Sequence, residues 1–256
     1  MKIVTWNVNS LNVRLAHVLE FLDKHKPDVL CLQETKLPDE KFPVAEIEAA
    51  GYRVIFAGQK TYNGVATLSR SEATDVVSSL PGLDDPQRRL LAATIDGIRI
   101  INVYIPNGQE TGSDKYAYKF RWLAAFTDYL KSELAGHDKL VLLGDYNIAP
   151  SDIDVHDPLR WSGKITCSEA ERQVFAEFLK LGLVDTVRSL HAQTPLFSWW
   201  DYRMNAFRRN WGLRIDHQLA TVSMKAVAAG VDADFRAMER PSDHAPVWVE
   251  FEEARC

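Results

Sequence analysis

Three cysteines among 256 residues (Cys31, Cys167 and Cys256) are odd in number, widely spaced and in no CxxC pair. They offer neither a disulfide framework nor a zinc knuckle. No apolar run approaches the roughly 18–20 residues that cross a bilayer. The opening MKIVTWNVNS turns polar within a few residues, without the apolar stretch and cleavage site of a secretory leader. A cytoplasmic protein with no membrane partner is the expectation. Positive charge is also short: 30 Lys+Arg face 35 Asp+Glu, a formal net charge of −5. That balance excludes a protein that holds nucleic acid by bulk charge, but leaves room for one local basic groove. Linkers, low-complexity tracts, charge blocks and short repeats are missing too. Residues 1–256 are therefore expected to form one domain.

What is present is a recurring short apolar run that ends abruptly in polar residues. Lys2–Val8 reads as a strand, Arg14–His25 as an amphipathic helix stopped by Pro27, and Asp28–Glu34 as a strand buried on both faces. Tyr52–Ala57 and Gly64–Ser69 suggest a strand pair around Asn63-Gly64. Leu90–Ile95 and Ile98–Tyr104 flank Asp96-Gly97, a strong hairpin signal. Helical spacing runs through Lys115–Leu134 and Ser168–Leu181, the latter ended by Gly182, with a buried strand at Lys139–Leu143 between them. Phe197–Trp200, Leu213–Thr221 and Ala245–Phe251 return to strand. Hairpins mixed with strand–helix–strand units indicate a layered α/β domain.

The carboxylates fall in telling places. Glu34 ends VLCLQE, Asp145 ends KLVLLGD, Asp216 sits inside LRIDHQLA, and Asp243 precedes APVWVEF. A charged group at the end of a buried strand needs a cation or several donors to offset its desolvation. Each also has a plainer reading. Glu34 suits any strand end, and Asp145-Tyr146-Asn147 suits an Asx-turn. In an extended backbone, however, Asp145 and Asn147 would project from one face, a carboxylate to hold a water beside an amide to donate. Asn7 and Asn9 share such a face after the first strand, and Asp243-His244 can pair directly only across a turn.

A second feature is the stretch Trp199–Arg214, WWDYRMNAFRRNWGLR. Arg203, Arg208, Arg209 and Arg214 stand there against the single Asp201, among Trp199, Trp200, Tyr202, Phe207 and Trp211. Arginine forks suit phosphate oxygens and aromatic faces suit unstacked bases; the same stretch also reads as a loop with its aromatics packed inward. Arg89 and Lys115, in basic segments of their own, offer further phosphate contacts.

Taken in order, WNVNSLNVR (Trp6–Arg14), LQETK (Leu32–Lys36), NGVA (Asn63–Ala66), NVYIPNG (Asn102–Gly108), GDYNIAP (Gly144–Pro150), FSWWDYR (Phe197–Arg203), LRID (Leu213–Asp216) and PSDHAPV (Pro241–Val247) match one family. The chain resembles the exonuclease III branch of the Mg-dependent endonuclease/exonuclease/phosphatase superfamily over essentially its full length. The resemblance implies a four-layer α/β sandwich, two packed mixed β-sheets flanked by helices. It implies a DNA-repair nuclease of the base-excision kind acting on duplex DNA at 3′ ends, nicks or abasic sites: a 3′→5′ exonuclease and 3′-phosphatase, with abasic endonuclease activity left open. It implies Mg2+, replaceable by Mn2+, and a monomer. By the same resemblance Glu34 is the main metal ligand with Asn7 orienting the site. Asp145 holds the attacking water, Asn147 donates to the phosphate, and His244 contacts the scissile phosphate, oriented by Asp216. Asp243 is an outer or alternative ligand, and Asp145, Asn147 and His244 also stand within reach of the metal. Tyr104 assists an oxygen that gains charge. Arg89, Lys115, Trp199, Trp200, Arg203 and Trp211 are the expected DNA contacts.

Two departures bear on substrate: Trp200 replaces the Phe of many relatives, and the loop Trp161–Glu169 differs from that of strong abasic endonucleases. Other function classes fare worse. A lipid- or inositol-headgroup phosphoesterase does not explain the basic aromatic stretch. A pure binding module has no use for acidic groups beside a polyanion. No GxSxG supports a serine hydrolase, and Cys31 lies inside an apolar strand.

Overall fold

The computed structural model describes residues 1–252; Cys256 lies outside the described residues. β1 (Lys2–Asn7), β2 (Val29–Gln33), β3 (Arg53–Ala57) and β4 (Val65–Ser69) share one sheet with the last two strands, β13 (Ala226–Val231) and β14 (Val247–Phe251), in the order β13-β14-β1-β2-β4-β3. β5 (Ala73–Val77), β6 (Leu90–Ile95), β7 (Ile98–Tyr104), β8 (Leu140–Asp145) and β9 (Leu183–Asp185) form the second sheet with β12 (Asp216–Thr221), in the order β5-β6-β7-β8-β12-β9. A two-stranded ribbon joins β10 (Trp199–Trp200) to β11 (Gly212–Leu213). The long helices are α1 (Leu11–His25), α3 (Asp114–Gly136) and α5 (Glu169–Lys180). Short α2 (Val44–Ala49), α4 (Pro158–Trp161), α6 (Thr186–Leu190) and α7 (Asp234–Ala237) fill the connections.

Side-chain alternation builds the layers. Ile3, Val29, Cys31, Ile100, Val141, Leu143 and Val249 point between the sheets. Their neighbours Val4, Trp6, Leu30 and Leu32 face Val18, Phe21 and Leu22 of α1, while Ile101, Val103, Leu140 and Leu142 face Trp122, Phe126 and Leu130 of α3. Strands covered on both faces favour apolar residues at most positions, which is why the central strands read as nearly continuous runs, with Thr5, Gln33 and Asn102 hydrogen-bonded to one another between the sheets. The expected four-layer α/β sandwich is present.

The hairpin at Asp96-Gly97 forms with both residues at positive φ, as a two-residue turn that follows strand twist requires. Other expectations need correction. Phe197–Trp200 is a strand only at its last two residues, and the run Leu213–Thr221 breaks at Arg214-Ile215. The cause is Arg214, which turns inward: its Nε lies 2.6 Å from Asp154 Oδ1 and its Nη2 2.8 Å from Asp185 Oδ2. Arg214 is buried and is thus no phosphate contact. Trp200 is buried as well, its N–H on Asn210 Oδ1 and its ring against Phe207, so it presents no face to a base.

His217 sits beside this buried cluster, its Nε2 2.8 Å from the Ile148 carbonyl and its ring edge-on to Tyr146 and Phe175. Burial, reinforced by the Arg214 charge, pushes its pKa down to about 4. The folded protein therefore holds His217 neutral where the unfolded chain binds a proton. The stability is present in full above about pH 6.5 and is lost as pH falls through 4, of the order of 3 kcal/mol in total. Urea unfolding of wild type and His217→Gln between pH 7.5 and 4 should show a steeper acid loss in wild type. Parallel curves would remove His217 as the cause.

Candidate active site

The site lies where the parallel pairs of both sheets end. β1 runs parallel to β2 with Asn7 opposite Gln33, and Glu34 follows directly; β7 runs parallel to β8 with Tyr104 opposite Asp145. Antiparallel β12 sets Asp216 opposite Asp145. Gly144 lets β8 reach this end at φ 147; a Cβ there would stand 1.9 Å from the Val103 carbonyl oxygen.

The Asn7 amide joins the two halves, donating from Nδ2 to Glu34 Oε1 and to Asp145 Oδ2, each at 2.9 Å. Glu34 Oε2 also meets Lys36 Nζ at 2.9 Å. His244 Nδ1 lies 2.8 Å from Asp216 Oδ2, which Ser198 Oγ also supports at 2.6 Å. The other ring nitrogen of His244 stands 3.7 Å from Asp145 Oδ2, too long for a hydrogen bond. Asp145, Asp216 and His244 thus form a buried cluster able to hold a metal ion. Carboxylate oxygens suit a hard divalent cation: Glu34 follows β2 of one sheet, Asp145 ends β8 of the other, one amide joins them, and the buried Asp216 Oδ1 has no hydrogen-bond partner.

Burial, with the Asp216 and Glu34 charges, pushes Asp145 up to about 7 against the opposing pull of His244 and Asn7. Burial alone would lower His244, but the Asp216 and Asp145 carboxylates outweigh it and raise the imidazole to about 10. Burial, then the Glu34 charge, keeps Tyr104 a protonated phenol. A proton acceptor near neutrality therefore stands beside two fixed donors.

Asn147 is not extended. At φ 50 it closes an Asx-turn in which its N–H donates to Asp145 Oδ1 at 2.9 Å. The turn still brings its amide alongside: Nδ2 reaches Ile105 O at 3.0 Å and Asp145 Oδ2 at 3.3 Å. A cavity of about 320 Å³ opens over the group, with Trp161, Ile165, Thr166, Trp199, Leu213 and Ile215 among its walls. Asp243 borders it with both oxygens engaged, one by Trp199 Nε1 and one by Asn9 Nδ2, each at 2.9 Å. It steers Trp199 and has no oxygen free of a donor.

The pattern of the endonuclease/exonuclease/phosphatase family matches residues 4–244. The chain belongs to that family. It is 36% identical to the exodeoxyribonuclease III of Haemophilus influenzae over 98% of this chain and 100% of that one. The structure of a Neisseria 3′ phosphatase bound to product DNA hairpin superposes with TM-score 0.98 at 52% identity, covering 99% of this chain and 100% of that one. An AP endonuclease from Archaeoglobus fulgidus follows at TM-score 0.95 and 39% identity, with 99% and 100% covered.

Within this family member, Asn7, Glu34, Tyr104, Asp145, Asn147, Asp216, Asp243 and His244 all meet at one cavity, its second layer included. The expected DNA contacts are more scattered. Arg89 lies over the Tyr104 ring at 4.7 Å, and Lys115 is exposed in the first turn of α3. Trp211 stacks on His156 while Arg203 is exposed and forked onto Asp201; both line a second cavity beyond Trp161 and Trp199. Sequence reasoning missed Asn107, whose Nδ2 donates to Asn147 Oδ1 at 2.8 Å, and Ser198 behind Asp216. Both lie inside the motif segments NVYIPNG and FSWWDYR, which was the available signal.

Proposed function

We propose that the protein is a Mg2+-dependent DNA-repair nuclease, one domain acting as a cytoplasmic monomer, that hydrolyses phosphate esters at 3′ ends of duplex DNA. The observation that carries this reading is Asp145, a buried carboxylate set between the Asn147 amide and the His244–Asp216 pair at the mouth of the cavity. Among the described residues no helix is long and apolar enough to cross a membrane. The relatives named above act as exodeoxyribonuclease, 3′ phosphatase and AP endonuclease, which supports DNA as substrate.

Glu34, with Asn7 holding it and Asp145 alongside, would bind the Mg2+. When bound, the ion supplies positive charge to the phosphate and acidifies water. The chain's own groups do the rest. Asp145 orients a water toward the phosphorus and takes its proton, a role its position beside the Asn147 amide and the cavity allows. The imidazolium of His244, fixed by Asp216, faces the phosphate oxygens as a buried cation. Asn147 exchanges its long bond to Asp145 for one to a phosphate oxygen, and the Tyr104 hydroxyl donates to an oxygen that gains charge. Arg89, Lys115, Trp199, Arg203 and Trp211 are proposed to hold the duplex along the rim. The apolar wall of Trp199, Leu213 and Ile215 offers room for an extrahelical sugar, narrowed by Trp161, Ile165 and Thr166.

The test uses labelled duplexes carrying a blunt end, a 3′-phosphate or an internal abasic analogue, each in Mg2+ and in EDTA. Chelation should lower turnover by about 10³-fold or more, with Mn2+ restoring it. Equal turnover in EDTA, or none in any metal, would overturn the proposal; the abasic lane reads the Trp161–Glu169 loop.

A further inference from the structure

Beneath the cavity lies an ion pair with no part in the chemistry above. Lys119 of α3 and Glu171 of α5 are both fully buried, with Nζ 2.5 Å from Oε1. Replacing a buried pair by apolar groups of similar volume often leaves a protein as stable or more so, and stability alone gives no reason for charges at this point. The ammonium does what an apolar group could not. It donates to the Asn147 carbonyl at 2.8 Å and to the Asn107 carbonyl at 3.4 Å. Those are the two residues whose side chains meet over the site, Asn107 Nδ2 on Asn147 Oδ1. Glu171 grips the opposite wall: Oε1 accepts from the Thr166 N–H at 3.1 Å, and Oε2 from the Ser168 N–H and hydroxyl at 3.0 and 2.7 Å. Thr166 returns its carbonyl to Ala149 N–H at 2.7 Å, two residues beyond Asn147.

We propose that Lys119, anchored by Glu171, is a positioning residue for hydrolysis: its ammonium fixes the left-handed turn at Asn147 and so the aim of the Asn147 amide at the phosphate. The inference rests on the reading of Asn147 given above. It deepens that reading by placing control of the amide in a helix–helix contact below the site. Asn147 at φ 50 and Thr166 at φ 71 both hold positive φ, which Asn tolerates and a β-branched Thr rarely adopts. One charged pair pins both. An amide that drifts by an ångström loses most of its advantage in the transition state while contacts that bind DNA elsewhere persist.

The experiment compares wild type, Lys119→Met and the uncharged pair Lys119→Met/Glu171→Leu in steady-state hydrolysis of a 3′-phosphate duplex, thermal unfolding, and amide hydrogen exchange. Lys119→Met should lose about 30-fold in kcat with KM held within about twofold, and its Asn147 N–H should exchange about tenfold faster. The single variant strands a buried carboxylate and should melt low. The double variant should regain most of Tm without regaining kcat. Recovery of kcat together with Tm in the double variant, wild-type kcat in the single one, or a rise in KM alone would each overturn the proposal. Absence of metal-dependent turnover in wild type would instead sink the function, while the exchange of Asn147 would still read the positioning.

Discussion

Asp145→Asn is expected to lower turnover by about 10³-fold or more while changing duplex affinity by less than about threefold. Asn keeps the shape of Asp and can still accept the Asn147 N–H, so the Asx-turn should survive. What goes is the proton acceptor, and with it the charge that helps raise His244. Removing negative charge beside a polyanion cannot weaken binding by repulsion, so a loss confined to kcat is the signature. The check pairs single-turnover kinetics with fluorescence anisotropy on the same labelled duplex. Residual activity above a tenth of wild type would move the proton acceptor to another group, His244 being nearest.

Gly144→Ala should cost about 3 kcal/mol or more, since its added methyl meets the shortest contact of any described glycine. Two penalties coincide. φ 147 is a backbone conformation L residues avoid, and the new methyl would stand 1.9 Å from the Val103 carbonyl and 3.0 Å from the Val103 nitrogen. Both clashing atoms belong to β7, the parallel neighbour of β8, so relief requires the central strands of the second sheet to part. Denaturant unfolding reads the loss directly. A variant as stable as wild type would mean that the β7–β8 pairing at Val103 and Gly144 is looser than its geometry.

The central strands were legible because burial on both faces leaves a nearly continuous apolar record, and the carboxylates because Glu34 and Asp145 end such runs, Asp216 interrupts one and Asp243 precedes one. β5, β9 and β13 left no comparable trace. ATDVV, LVD and AVAAGV are short edge or near-edge segments rich in small or polar residues, and their pairing is decided by neighbours distant in sequence. At the site, Asp145-Tyr146-Asn147 read either as one strand face bearing the chemistry or as a plain Asx-turn; the turn forms, and it still brings the two side chains together. Arg214 misled for a related cause: a guanidinium among aromatics looks the same on paper whether it meets phosphate or, as here, Asp154 and Asp185. The Lys119–Glu171 contact had a local sign in Ser168-x-x-Glu171, a helix-capping pattern. Its other half, a lysine deep in an aromatic helix, carries none.

The order of strands in the first sheet has a consequence for how the enzyme is made. β1 lies between β2 and β14, so strands from opposite ends of the described residues are neighbours. On the ribosome β2 can pair with it early, but its other edge stays open until Phe251 has emerged. Asp216 and His244 arrive in that same closing stretch, and the Trp6 indole then donates to the His244 carbonyl at 3.2 Å. Between Asp145 and His244 a nascent chain therefore carries Asn7, Glu34, Tyr104 and Asp145 without the imidazole that completes them. A chain shortened before β14 would keep His244 but leave β1 with an open edge behind the site, and is expected to lose activity with stability.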